Sequence, residues 1–175
     1  LMNDQYTFES ERLLIRPLHQ NDLEIVRVWR NNDDIRRWFL QQRLISPEEQ
    51  RHWFEQYKGK HNDRMFMAVE RSSRLRVGTA ALYNIQPELA EFGRLIINPA
   101  RGGQGLGAEL TEALCQFGFH SLKLSKIVIE VISDNYAALK IYEKYGFRKT
   151  GAAIHENRNV ILMERDRSFN GKESD

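Results

Sequence analysis

Six residues, Gly102-Gly103-Gln104-Gly105-Leu106-Gly107, constrain this chain more than any other stretch. Ahead of them, Phe92 to Ile97 reads as a strand that Asn98-Pro99 breaks. Behind them, Leu106, Leu110, Leu114 and Phe117 recur at helical spacing, which predicts a helix from about Gln104 to Leu122. A strand must therefore enter a long helix through a glycine turn. Glycine permits backbone angles closed to other residues and lets a ligand approach the main chain. The first amides of the helix, aided by its dipole, attract an anion. From these residues alone the turn is either a pyrophosphate cradle or a simple reversal of the chain. It is not a P-loop, because no Lys follows the glycines. It is not a dinucleotide fingerprint either, because the spacing is Gly103-x-Gly105-x-Gly107.

The pattern around the turn is mixed. Leu13-Leu14-Ile15 begins a short strand that Pro17 closes, and Asn21-Asp22 is read as the cap of a helix through Leu23, Val26 and Arg30. Ser46-Pro47-Glu48-Glu49 is a helix start with a capping box and proline in the first turn. Residues 35–45 carry no assignable period. Met65–Val69, Val77–Ile85 and Phe92–Ile97 form a predicted antiparallel meander. Lys126–Ile132 is a further strand, Asp134 is read as the cap of a helix ending at Gly146, and Phe147–Gly151 with Val160–Met163 form a closing pair. The expected fold is mixed α/β: a central, mostly antiparallel twisted sheet with helices on both faces. The 175 residues suffice for one domain, with its core at about 12–165 and fraying ends, the tail from Asp166 included.

Composition removes several function classes. The 26 basic side chains are nearly balanced by 24 acidic ones, so charge gives no reason to expect nucleic acid as a partner. No apolar run is long enough to span a bilayer, and Leu1 to Glu11 has no signal-peptide core, so no membrane partner is expected. One cysteine, Cys115, in an apolar helical stretch predicts a buried, inert thiol and a cytoplasmic, reducing setting. The five histidines are scattered, so no metal site is expected.

A second motif lies at Asp134-Asn135-Tyr136-Ala137-Ala138-Leu139-Lys140-Ile141-Tyr142-Glu143-Lys144-Tyr145-Gly146-Phe147. Alone, its tyrosines read as core aromatics. The glycine turn and long helix, then a strand, then Asn-x-x-Ala-x-x-x-Tyr-x-x-x-Gly-Phe, together resemble the GNAT family of acyl-CoA N-acetyltransferases, from about Arg12 to Met163. Gly102 departs from the family's usual Gln or Arg, with Arg101 one position earlier. The resemblance implies acetyl-CoA as donor, with its pyrophosphate on the amides of Gly103, Gln104, Gly105, Leu106 and Gly107. It implies that Ile96 and Ile97 pair with the pantetheine arm and that Asn135 contacts the cofactor. It makes Tyr142 the general acid that protonates the leaving thiolate. The attacking amine must lose a proton, and Glu91, in Glu91-Phe92-Gly93, is the expected base or the anchor of a relay water. A surface carboxylate at a strand start is the other reading of Glu91. Homodimers are frequent in this family.

Acceptor choice falls to the first third of the chain. Trp29-Arg30-Asn31, Trp38-Phe39 and the Ile45 to Glu49 helix start resemble the acetyltransferases of pseudaminic acid biosynthesis, which act on a nucleotide-linked 4-amino sugar. Gln50 stands where that subgroup often has His. Arginine suits phosphate and aromatic faces suit a base or sugar, so Arg30, Arg36, Arg37, Trp38 and Phe39 are the expected acceptor residues. Arg12 to Leu18 resembles instead the broader group with ribosomal-protein N-terminal and polyamine acetyltransferases. A non-catalytic acyl-CoA sensor is the alternative from another class.

Overall fold

The computed structural model describes residues 6–168. Eight strands form one sheet in the order β1-β2-β3-β4-β5-β6-β8-β7. They are β1 (Phe8–Glu9), β2 (Leu13–Pro17), β3 (Arg64–Glu70), β4 (Arg76–Tyr83), β5 (Leu89–Ile97), β6 (Lys126–Ile132), β7 (Arg148–His155) and β8 (Arg158–Asp166). Every neighbouring pair is antiparallel except β5 and β6, which run parallel. The helices are α1 (Leu23–Asn31), α2 (Asp33–Arg36), α3 (Pro47–Lys58), α4 (Leu106–His120) and α5 (Tyr136–Lys144).

Alternation along the strands builds two apolar layers. Phe66 and Ala68 of β3 join the larger core with α4 and α5, through Leu110, Leu114, Leu139 and Tyr142. Met65 and Met67 of the same strand join the smaller core with α1 and α3, through Val26, Trp29, Phe54 and Tyr57. The expected sheet with helices on both faces is therefore present. Cys115 is buried in the larger core, and burial pushes its thiol up to about 12. That keeps it protonated and inert at neutral pH.

Some boundaries differ from the sequence reading. Ser46 caps α3 with a complete capping box, as expected. Asp22 stands at the N-cap of α1 but its side chain does not bond the helix amides: its carboxylate accepts from the His19 amide, from both Nη of Arg16 and from Nη1 of Arg76. The cap of α5 is Asn135, whose Oδ1 accepts from the Ala138 amide, and not Asp134. Residues 35–45 hold only the end of the four-residue α2 and then an irregular loop. The chain is still fixed beyond Asp166, because the Arg167 amide donates to the Ser125 carbonyl and its Nε to that of Leu124. The expected fraying from residue 169 onward and before residue 6 lies outside the described residues.

Candidate active site

The parallel pair is the key to the site. β5 and β6 are paired only over Leu89↔Lys126, Ala90↔Ile127 and Glu91↔Val128. Beyond that point they part. β5 remains hydrogen-bonded to β4 on one side and β6 to β8 on the other. A cleft of about 420 Å³ opens between them, lined by Phe92 to Ile97 on one wall and Ile129 to Ile132 on the other. Two strand edges thus face each other with unpaired backbone groups, which an extended ligand can use. β5 is also bulged here. Between the pairs Ala81↔Gly93 and Thr79↔Ile96, β4 advances two residues and β5 three. Arg94 takes a φ of 53° in that bulge. Its guanidinium grips Asp63 at 2.7 and 3.0 Å and lies 4.5 Å from the centre of the Tyr83 ring.

β5 leads through Asn98 and the 3-10 turn Pro99–Arg101 into the glycine turn. Gly103 and Gly105 have φ of 75° and 76°, a region in which other residues are strained. Gly105 is the N-cap of α4 and carries no side chain to bond the first helical amides. A Cβ at Gly103 would meet nothing within 4 Å, so this side of the turn is open. The start of α4 lies against the end of β5: a Cβ on Gly107 would stand 3.5 Å from Cγ1 of Ile97.

Tyr142 of α5 lines the cleft and is 7% exposed. Phe92 and Phe147 hold its ring edge-on, with centroids at 6.2 and 5.7 Å. Its hydroxyl bonds no group among the described residues. Burial raises the Tyr142 phenol above its ordinary value, with Cys115 and Tyr83 adding to it. The hydroxyl therefore stays protonated at neutral pH, the state a proton donor needs. Ile96, Ile97 and Asn135 line the same cleft.

Glu91 is not among the lining residues. It sits at the last position where β5 pairs with β6 and accepts from Nδ2 of Asn84 at 3.0 Å. Two carboxylates do line the cleft, Asp34 at its far end and Glu130 of β6, whose Oε2 is 2.9 Å from Nδ1 of His155. The sequence carried a signal for it: Glu130 is the lone charge in the apolar run Ile127 to Ile132. The partner, His155, comes from β7 and no local pattern points to it.

The expected acceptor residues divide. Arg30, Trp38 and Phe39 line the far end of the cleft. Arg36 and Arg37 do not. Arg36 is tied to Asp33 and to the Gln42 carbonyl, and Arg37 lies over the ring of Trp38. Each supports the loop rather than the cleft. Arg30 is 8% exposed, stacks on Phe39 and donates Nη2 to the Gln41 carbonyl. No described carboxylate pairs with it, and its Nη1 has no partner. Burial, then repulsion from Arg36 and Arg43, lowers it to about 10. It is still a cation at neutral pH. Arg158 of β8 pins the loop over the cleft, with Nη1 at 2.7 and 2.8 Å from the carbonyls of Arg37 and Phe39.

A sheet opened between two parallel strands, with an amide-rich turn at one end and a buried phenol inside, can take an extended ligand arm that carries an anionic group at one end. The comparisons with known proteins make the class specific. The profile described as the acetyltransferase (GNAT) domain matches residues 12–148, and the chain belongs to that family. It is an N-acetyltransferase with acetyl-CoA as its donor. Among curated relatives, spermidine N(1)-acetyltransferase of Escherichia coli K12 is 27% identical over 155 residues, 85% of this chain and 83% of that protein. Acetyltransferase PseH of Campylobacter jejuni (strain 81-176) is 26% identical over 130 residues, 74% of this chain and 79% of that protein. Spermidine N-acetyltransferase from Vibrio cholerae, solved in complex with CoA and spermine, superimposes with a TM-score of 0.84 at 24% identity, covering 91% and 98% of the two chains. That likeness confirms the fold. Among the described residues no group of three or more His, Cys, Asp or Glu could hold a metal ion, and no helix is long and apolar enough to cross a membrane.

Proposed function

We propose that this chain, as a single catalytic domain, acetylates a small primary amine by direct attack on the thioester of acetyl-CoA. The observation that carries the reading is the parting of β5 and β6 around Tyr142. The amides of Gly103 to Gly107 hold the pyrophosphate, and the open edge at Ile96 and Ile97 pairs with the pantetheine arm. Asn135 acts through its free Nδ2, since its Oδ1 caps α5. Tyr142 gives a proton to the departing thiolate. The amine's proton leaves through Glu130 and His155, which line or border the cleft, or through Glu91 by way of a water.

The acceptor reading with the more similar named relatives is a polyamine, and Asp34 and Glu130 offer carboxylates in the cleft for it. One observation favours a second reading, a nucleotide-linked amino sugar. Arg30 is a buried cation with no counter-charge, which a phosphate would satisfy and a polycation would oppose. The test is thiol release from acetyl-CoA with spermidine, a UDP-linked 4-amino-4,6-dideoxy sugar and an N-terminal ribosomal peptide. Turnover with spermidine alone supports the polyamine, and turnover with the sugar nucleotide alone supports the anionic acceptor. Binding of acetyl-CoA with no turnover on any amine contradicts the enzyme reading and leaves a sensor.

A further inference from the structure

The glycine turn is held in place from outside by two arginines, neither of which the catalytic reading uses. Arg12, just ahead of β2, donates Nη1 to the carbonyl of Gln104 at 2.8 Å. Its Nε and its own amide go to the two oxygens of Glu109 in the first turn of α4, at 2.6 and 2.7 Å, and Ser10 adds a hydroxyl to the same carboxylate. On the other side Arg101 donates Nε to Oε1 of Gln104 at 3.0 Å, while its two Nη atoms hold Glu70 of β3. Both oxygens of Gln104, main chain and side chain, are therefore engaged by arginines that carboxylates orient.

The consequence follows from the planarity of the peptide. The carbonyl of Gln104 and the amide of Gly105 share one plane and point in opposite directions. Fixing the carbonyl on Arg12 aims the Gly105 amide away from Arg12. Without that bond, Gly105, which follows the peptide and accepts φ of either sign, leaves it free to flip. A flipped peptide would turn a carbonyl oxygen toward a phosphate and repel it. Each arginine is matched by a carboxylate, so the pair adds order to the turn and little net charge.

We propose that Arg12 with Glu109, seconded by Arg101 with Glu70, are positioning residues that hold the glycine turn in its phosphate-accepting form before the donor arrives. The proposal rests on the reading that this turn takes the donor's pyrophosphate. The experiment compares two donors, acetyl-CoA and S-acetyl-pantetheine, which lacks the pyrophosphate and nucleotide. The readout is the ratio of their kcat/KM values with one amine acceptor. In the unaltered protein the ratio strongly favours acetyl-CoA. Arg12→Gln and Glu109→Gln each lower it about tenfold, the scale of one lost charge-assisted hydrogen bond, through a higher KM for acetyl-CoA. Arg12→Lys lowers it too, because an ammonium cannot span Glu109 and the Gln104 carbonyl as the fork does. Arg101→Gln leaves the β2–α4 link intact and lowers the ratio by a smaller factor, so the test survives if the Arg12 variants fail to fold. If the variants reduce turnover of both donors in step, the arginines are structural only and the proposal is wrong. If the unaltered protein uses both donors equally well, the pyrophosphate reading of the turn fails instead.

Discussion

The two ends of the cleft are built on opposite plans. The end proposed for the donor is main chain and apolar surface: parted strand edges at Phe92 to Ile97 and Ile129 to Ile132, a glycine turn, and Tyr142 seated between Phe92 and Phe147. The end proposed for the acceptor is an irregular loop held by side chains. Arg158 and Arg36 take its carbonyls, Asn31 makes a two-way bridge to Ile45, and Arg30 takes Gln41. Backbone recognition suits a donor that is always the same molecule. A loop hung on side chains can be rebuilt for a new amine without disturbing the sheet.

The largest expected effect breaks the donor end chemically. Tyr142→Phe removes one hydroxyl from a packed ring, so folding is retained and kcat falls at least ~100-fold, the usual range for a lost general acid. Steady-state thiol release measures it. Because burial holds the phenol above its ordinary value, kcat of the unaltered protein shows no loss from Tyr142 ionisation up to about pH 9.

At the acceptor end, the decisive substitution is Arg30→Met. It removes a buried cation without a counter-charge, so thermal stability is unchanged or rises by about 1 kcal/mol. Should the acceptor carry phosphate, its KM rises at least ~10-fold, as expected when a charged hydrogen bond is lost. Should it be spermidine, its KM falls. The two ends thus differ in sign as well as size.

The same contrast holds for acid. Asp22 ties the start of α1 to Arg16 of β2 and Arg76 of β4, and its carboxyl is 1% exposed. Burial alone would raise it, but the bonds from Arg16, the His19 amide and Arg76 outweigh that and hold it below its ordinary 3.8. A depressed carboxyl stabilises the fold above its unfolded value, and that contribution is lost as pH falls through the folded one. Hydrogen exchange below pH 4 should therefore loosen residues 19–31 before the middle of α4, whose anchors Leu110 and Leu114 carry no charge. Asp22→Asn reproduces the loss at neutral pH, costing about 3 kcal/mol for a broken buried pair. Simultaneous opening of α1 and α4 would contradict the contrast.

The smallest effect is Asn135→Ala. It removes the cap of α5 and lowers stability by about 1 kcal/mol in a thermal melt. If Nδ2 also meets the donor, the KM for acetyl-CoA rises with it, whereas a pure cap leaves that KM alone.

The two ends also differed in how far the sequence announced them. The glycine turn, the apolar period of α4 and the Asn-to-Phe motif are local patterns, so the elements at the end proposed for the donor could be read residue by residue. The parting of β5 and β6 was not legible, because it depends on where a strand stops pairing with another some forty positions away. Asn135 rather than Asp134 caps α5 because both residue types cap well and only the chain path decides between them. At the acceptor end, Arg30, Arg36 and Arg37 look alike in sequence. Only the fold shows Arg30 buried and unpaired while its neighbours hold the loop. Glu91 and Glu130 are equally plausible carboxylates on strands, and their difference is which one the opening exposes to the cleft.

The most direct test of the central claim is a crystal structure with CoA bound. The account predicts the pantetheine arm between residues 92–97 and 129–132, the pyrophosphate on the amides of Gly103 to Gly107, and the sulfur within reach of the Tyr142 hydroxyl. CoA seated elsewhere, such as the groove beside Gln116 and His120 on α4, or a sulfur remote from Tyr142, would contradict it.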